Sequence, residues 1–214
     1  MGKEIRFTIP LSELTTGSSC WRQSIRSEIL KALCEGNIVI LPTETSYMLG
    51  ADATRKKSMD KLWMLKNRPA GQNISVMFGS IDKAREWVCW SDRAEAVAQR
   101  YLPGPLTLIL PLKPGTRQYA STSGSLGIRI SGNPFLLDLL AEIDFPISAT
   151  SANRHGAPEP YSYDDCVSPV DVVWDAGKLD PRPPSTILDL SGDQPRILRQ
   201  GELVVEKSFI EMPV

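Results

Sequence analysis

Residues 38–47 read Ile38-Val39-Ile40-Leu41-Pro42-Thr43-Glu44-Thr45-Ser46-Tyr47. Four apolar, mostly β-branched residues run into Pro42, which cannot donate to a ladder, and then into a cluster of hydroxyls. The pattern predicts a buried strand that empties into a polar loop, and in open α/β sheets ligands bind where strands end. Shortly afterwards, between Arg55 and Arg68, six basic residues accompany one acid, Asp60. Lys56, Lys57 and Lys61 read as the solvated face of a helix over about 57–65 whose core positions are Met59, Leu62, Trp63 and Leu65. Lys66 and Arg68 fall just past that helix. Positive charge beside hydroxyls suits a phosphate or a carboxylate.

Working outward, strand and helix patterns alternate. Residues 7–10 suit a short edge strand. Ser18 or Ser19 caps a helix carrying Trp21, Ile25, Ile29, Ala32 and Leu33, with Gly36 closing it. Strands are expected at 74–78, 106–112, 126–130, 146–149, 170–174, 185–190 and 196–199, and helices at 82–87 and 92–101. Asn133 as N-cap and Pro134 as first helical residue open a further helix. Alternation of Leu126, Ile128 and Ile130 puts Arg129 on the opposite strand face. The Ser/Thr/Gly-rich segment Thr116–Gly124 reads as a mobile loop. No repeat or linker divides the chain, so the expectation is an α/β fold with a twisted, mixed sheet, one domain over residues 1–214.

With 42% hydrophobic and 23% charged residues, the 214-residue chain can bury a core. A net charge of −1 counts against a dedicated nucleic-acid binder. Cys20, Cys34, Cys89 and Cys166 are scattered and there is one histidine, so the thiols read as reduced and no zinc set is indicated. Met1 to Arg6 lack an apolar leader and no run reaches membrane length; a soluble, cytoplasmic protein is expected.

The phosphate-cradling G-x-x-x-x-G-K-[ST], the dinucleotide G-x-G-x-x-G and the hydrolase G-x-S-x-G are all absent. His155 is a lone loop histidine and reads first as solvated. What remains is polar residues at predicted strand ends: Thr43, Thr45, Lys66, Arg68, Arg129, Ser148, Ser151, Asn153, Ser185, Thr186 and Arg199. Singly, each has an ordinary explanation, such as a turn for Ser151 and Asn153 or a surface salt bridge for Arg129. Together they form a set of cations and neutral donors with few carboxylates and no obvious nucleophile. Such a set suits transfer at phosphorus, where catalysis is mostly positioning and charge neutralisation.

At this point the residues resemble a known family. Pro42-Thr43-Glu44-Thr45-x-Tyr47, Lys66-x-Arg68-Pro69, Pro103-Gly104-Pro105-Leu106-Thr107, Gly127-Ile128-Arg129, Thr150-Ser151-Ala152-Asn153, Ser185-Thr186 and Arg199-x-Gly201 occur in the order seen in the YrdC-like threonylcarbamoyl-AMP synthases. The resemblance implies a YrdC-like open, twisted, mixed sheet flanked by helices, with a concave basic cleft. It implies a reaction in which L-threonine, bicarbonate or CO2, and ATP give threonylcarbamoyl-AMP and pyrophosphate. The product passes to a partner tRNA threonylcarbamoyl transferase, with tRNA contacted weakly or indirectly and no membrane involved. By motif matching, Lys66, Arg68, Ser151 and Asn153 are the catalytic set. Thr43, Arg129 and Ser185 hold L-threonine, and Arg68, Ser125, Asn153 and Arg199 hold the nucleotide. Mg2+ arrives with ATP, and no protein-bound metal site is implied.

Four places depart from the family pattern. Met48 stands where glycine is usual, and Gly71-Gln72-Asn73 follows Pro69-Ala70. Pro184 precedes Ser185, and Arg154-His155-Gly156 follows Asn153. The first two look like the YciO branch, so a YciO-like relative with weak or altered activity is the alternative. A double-stranded RNA or tRNA-binding module without chemistry is the reading from another class.

Overall fold

The computed structural model describes residues 4–10 and 19–211. The chain runs β1 (Ile5–Thr8), α1 (Ser19–Cys34), β2 (Val39–Pro42), β3 (Tyr47–Gly50), α2 (Lys56–Leu65), β4 (Val76–Met77) and α3 (Ile81–Arg85). It continues through α4 (Asp92–Tyr101), β5 (Leu106–Pro111), β6 (Ser125–Arg129), α5 (Pro134–Ala141), β7 (Ile147–Ser148) and β8 (Thr150–Ser151). A 3-10 turn (Tyr163–Asp165), β9 (Val172–Asp175), β10 (Thr186–Asp189), β11 (Arg196–Arg199) and α6 (Lys207–Glu211) complete it.

The α/β class is as the alternating pattern predicted. Hydrogen bonding, however, divides the strands into two mixed sheets where the sequence suggested one: five strands ordered β1-β9-β2-β3-β8, and six ordered β11-β10-β5-β6-β4-β7. The division falls inside a stretch read as one strand. β7 pairs antiparallel with β4 in the larger sheet, and one residue later β8 pairs antiparallel with β3 in the smaller. Ala149 is the residue between. Ser148 stitches the junction: its Oγ accepts the Ala51 N–H at 2.9 Å and donates to Leu49 O at 3.0 Å, while its own N–H reaches Ala51 O at 2.8 Å.

β2 is buried at all four residues, as its composition required. β3 was not legible, because Tyr47-Met48-Leu49-Gly50 follows the hydroxyl cluster directly and ends in glycine. It pairs antiparallel with β2, Pro42 opposite Tyr47, so Thr43–Ser46 is a tight hairpin turn. The α1 core positions Ile25, Ile29, Ala32 and Leu33 are buried. Gly36, at φ 79°, closes the helix, as the αL preference of glycine predicts. Ser18 and the Trp21 side chain lie outside the described residues. Asn133 caps α5 by accepting the Phe135 N–H at 3.0 Å, and Phe135 packs edge-on against the buried Trp174 at 4.6 Å.

The expected 74–78 strand shrinks to Val76–Met77 because the Ile74 N–H is taken by Ala120 O at 2.7 Å. That bond joins the Thr116–Gly124 segment, expected to be a mobile loop, to the strand entry, and its Ser121 Oγ and Thr122 N–H each donate to Asn73 Oδ1 at 3.1 Å. The short α6 had no signal in the sequence. Among the described residues no helix is long and apolar enough to cross a membrane, and Cys34, Cys89 and Cys166 are free thiols.

Candidate active site

The polar strand ends meet. A cavity of about 370 Å³ lies where the β2–β3 turn, the segment after α2, β6, the β8 exit, β10 and β11 converge. It is lined by Thr43, Lys66, Arg68, Arg129, Ser151, Asn153, Ser185 and Arg199, all of them sequence candidates. Ser125 is not among the lining residues; it opens β6, and its Oγ lies 3.1 Å from Ser123 Oγ. Ser125 reached the candidate set through motif matching, and the β6 register carries it to the strand end away from Arg129.

Lys66 is delivered by the end of α2. Asn67 takes the left-handed conformation, φ 51°. The Arg68 N–H then reaches back to Trp63 O at 2.9 Å and the Asn67 N–H to Met64 O at 3.1 Å, a Schellman stop that asparagine tolerates better than most residues. This sharp exit sends Lys66 inward, 2% exposed, and leaves Arg68 half-buried at the cavity. Lys66 Nζ donates to Ser151 O, to Asn153 O at 2.8 Å and to Asn153 Oδ1 at 3.2 Å. An ammonium has three protons, so this one is fully committed. Burial, reinforced by repulsion from Arg68, pushes its pKa down to about 8, with Glu159 pulling the other way.

Asn153 continues the network. Its Oδ1 also accepts Ser151 Oγ at 2.7 Å, and its Nδ2 donates to Ala157 O and, at 3.0 Å, to Pro158 O. Lys66 and Asn153 thus fix the 151–158 segment. Thr43 is similarly occupied: its Oγ1 accepts the Thr45 and Ser46 N–H groups at 3.1 and 3.2 Å and donates to Ser46 O at 2.8 Å. It shapes the turn that brings Thr45 and Ser46 to the cavity.

The guanidinium groups differ. Arg129 is buried in an ion pair with Glu44, Nη2 to Oε1 at 2.6 Å, and Ser131 Oγ donates to the other carboxylate oxygen at 2.6 Å. A surface salt bridge was the simple expectation; the pair is in the interior. Burial alone would raise the Glu44 pKa, but Arg129 and Ser131 hold it below the ordinary carboxylate value. Arg129 Nε is buried with no partner. Arg68 gives Nε to Gln72 Oε1 and Nη2 to Asn73 O, both at 2.8 Å. Arg199 gives Nε to Ser185 O at 2.9 Å and Nη2 to Ser185 Oγ at 3.1 Å, and Ser185 Oγ lies 3.0 Å from Thr107 Oγ1. Burial lowers the pKa of both Arg68 and Arg199. Gly201 must be glycine: a Cβ there would lie 2.0 Å from Pro184 O, the carbonyl beside Ser185. No described residue engages the Nη1 of any of the three arginines.

Sequence reasoning missed three residues in and around this site, while Ser46, one of the hydroxyls placed at the strand exit, does line the cavity. Glu44 sat inside the deciding stretch but gave no signal of its partner. Thr107 gave none of its bond to Ser185, and Glu159 was hidden in a proline-rich run. His155 lines the rim, exposed, with its N–H on Lys66 O at 2.9 Å. No group of three or more metal-ligating side chains occurs among the described residues.

Fold and site define an α/β protein of two mixed sheets enclosing a cationic, hydroxyl-lined cavity. Residues 31–201 match the Sua5/YciO/YrdC family, described as "Telomere recombination", and the chain belongs to that family. A Methanocaldococcus jannaschii relative is 30% identical over 190 residues, 87% of this chain and 90% of its own. The threonylcarbamoyl-AMP synthase of Bacillus subtilis is 32% identical over 182 residues, 82% of this chain and 53% of its own length. P. abyssi Sua5, solved in complex with L-threonine, superposes with a TM-score of 0.75 at 28% identity, covering 92% of this chain and 56% of that one. E. coli YciO shares the fold, with a TM-score of 0.78 at 21% identity over 98% of this chain and all of its own.

Proposed function

We propose that this protein is a threonylcarbamoyl-AMP synthase acting in tRNA modification, joining L-threonine, bicarbonate or CO2, and Mg2+-bound ATP. The observation that carries the reading is three arginines, Arg68, Arg129 and Arg199, converging on one cavity with Nη1 groups that no described residue engages. Guanidinium N–H groups facing a cavity suit carboxylate or phosphate oxygens. The named synthases among its relatives support the same reading.

The reaction needs the threonine nitrogen to take up carbon dioxide as a carbamate. A carbamate oxygen then attacks the α-phosphorus, and the bond to the β-phosphate oxygen breaks to release pyrophosphate. No protein nucleophile is required, which suits a site made of positioned donors. Arg129, fixed by Glu44, holds the amino-acid carboxylate beside Ser185 and the turn shaped by Thr43. Arg68 and Arg199 neutralise phosphate or carbamate oxygens, and Lys66, with Ser151 and Asn153, keeps the adenylate-binding wall rigid. In this reading Lys66 acts chiefly through the wall it holds.

A second reading rests on Met48, which is buried in β3 and lines the cavity. Its thioether occupies room a glycine would leave, which suits a YciO-like relative with a different or weaker activity. Pyrophosphate release from Mg-ATP, with L-threonine and bicarbonate added separately and together, separates the readings. Release that needs both establishes the synthase. No release from folded protein under any combination favours the second reading, and steeply salt-dependent tRNA binding without turnover would point to an RNA-binding module.

A further inference from the structure

We propose that Glu159 is a substrate-binding residue, taking a hydrogen bond from an N–H or O–H donor of the amino acid or the nucleotide ribose. The inference rests on the synthase reading and concerns the one feature of the cavity that its cations do not explain. Among the described residues lining the cavity, Glu159 is the only carboxylate. A negative charge in a site for phosphate and carboxylate weakens binding unless a substrate group uses it.

The geometry shows a positioned group. Its neighbours in the chain are Pro158 and Pro160, which restrict the backbone on either side. Pro158 O accepts from Asn153 Nδ2 at 3.0 Å, and Pro160 O accepts the Tyr47 N–H at 3.0 Å, so residue 159 is anchored from both directions. Glu159 Oε2 accepts Ser46 Oγ at 3.1 Å, and no described residue bonds to Oε1. Although Glu159 raises the pKa of both Lys66 and Arg199, it forms no ion pair with either. A carboxylate held near two cations yet paired with neither keeps an oxygen for a third party.

The substrates bring suitable donors. The arginines serve their anionic ends, but L-threonine also carries an amine and a hydroxyl, and ATP carries a ribose diol. Glu159 supplies acceptor chemistry that the surrounding ammonium and guanidinium groups cannot.

The test compares wild type, Glu159→Gln, Glu159→Ala and Ser46→Ala for equilibrium binding of L-threonine and of Mg-ATP, alongside pyrophosphate release. Glu159→Ala is expected to weaken one substrate about tenfold or more and leave the other within about threefold, as for loss of a charged hydrogen bond. Glu159→Gln should retain part of that affinity. Weakened L-threonine binding assigns the contact to the amino acid. Weakened ATP binding, matched by the weaker binding of 2′,3′-dideoxy-ATP to wild type, assigns it to the ribose. Unchanged binding of both, or tighter ATP binding, overturns the proposal and makes Glu159 a charge that merely repels phosphate. Ser46→Ala reproducing the whole effect also overturns it, since the carboxylate would then act only through the turn. Wild type that turns over while Glu159→Ala matches it fails this inference alone; wild type that binds neither substrate fails the synthase reading and this inference with it.

Discussion

On one wall of the cavity, Lys66 gives all three of its protons to the main chain and side chain of Ser151 and Asn153. On the other, Arg129 gives one N–H to Glu44 and keeps a buried Nε unpaired. Both are buried cations, and both stand out equally in the sequence. The difference teaches that a compact ammonium closes a local network whereas a planar fork, held along one edge, presents the other to a ligand. Lys66 belongs to the architecture of the site, and Arg129 to its recognition.

The largest expected effect tests the first half of that contrast. Lys66→Met leaves two carbonyls and the Asn153 side chain without their donor. It should lower stability by about 3 kcal/mol and reduce turnover on the order of 100-fold or more, read by thermal unfolding and pyrophosphate release. A Lys66→Met protein that melts like wild type yet is inactive would break the contrast, because Lys66 would then be acting on the ligand. Next comes Arg129→Lys, which keeps the charge and loses the fork. It should weaken amino-acid binding about tenfold with much less effect on melting than Lys66→Met; equal losses of stability in the two variants would erase the distinction.

Smaller and pH-dependent is Glu44→Gln. The Glu44 pKa is depressed in the folded protein, so its contribution is present above the unfolded carboxylate value and is lost as pH falls through the folded one. The stability gap between wild type and Glu44→Gln should therefore be full at neutral pH and shrink below about pH 4. A gap that widens with acid would contradict the ion pair. Smallest of all, Gln72→Ala releases Arg68 Nε and should change ATP affinity by no more than about threefold, measured by titration.

Much of this was legible in the chain. The β-branched run before Pro42 marked β2, Asn133-Pro134 marked the start of α5, and the cations at strand ends marked the cavity. What was not legible depends on contacts between distant segments. The division into two sheets turns on Ala149, where no turn residue or change of periodicity signals that the next pair of residues has a different partner. Glu44 finds Arg129 across 85 positions and Glu159 finds Ser46 across 113, and no local pattern encodes either. Ser125 shows the converse: motif matching names it, and β6 carries it to the strand end opposite Arg129, off the cavity lining.

The Ser148–Ala149 junction has a mechanical consequence. Because one continuous stretch of chain serves both sheets, and Ser148 bonds across them on both sides, the sheets cannot scissor open or shut without tearing backbone hydrogen bonds from each other. The Ala149–Ser151 wall of the cavity is therefore held in register with both sheets, and that edge of the site is in place before any ligand arrives. Preorganisation of this kind lets a few well-aimed donors hold small, heavily hydrated substrates.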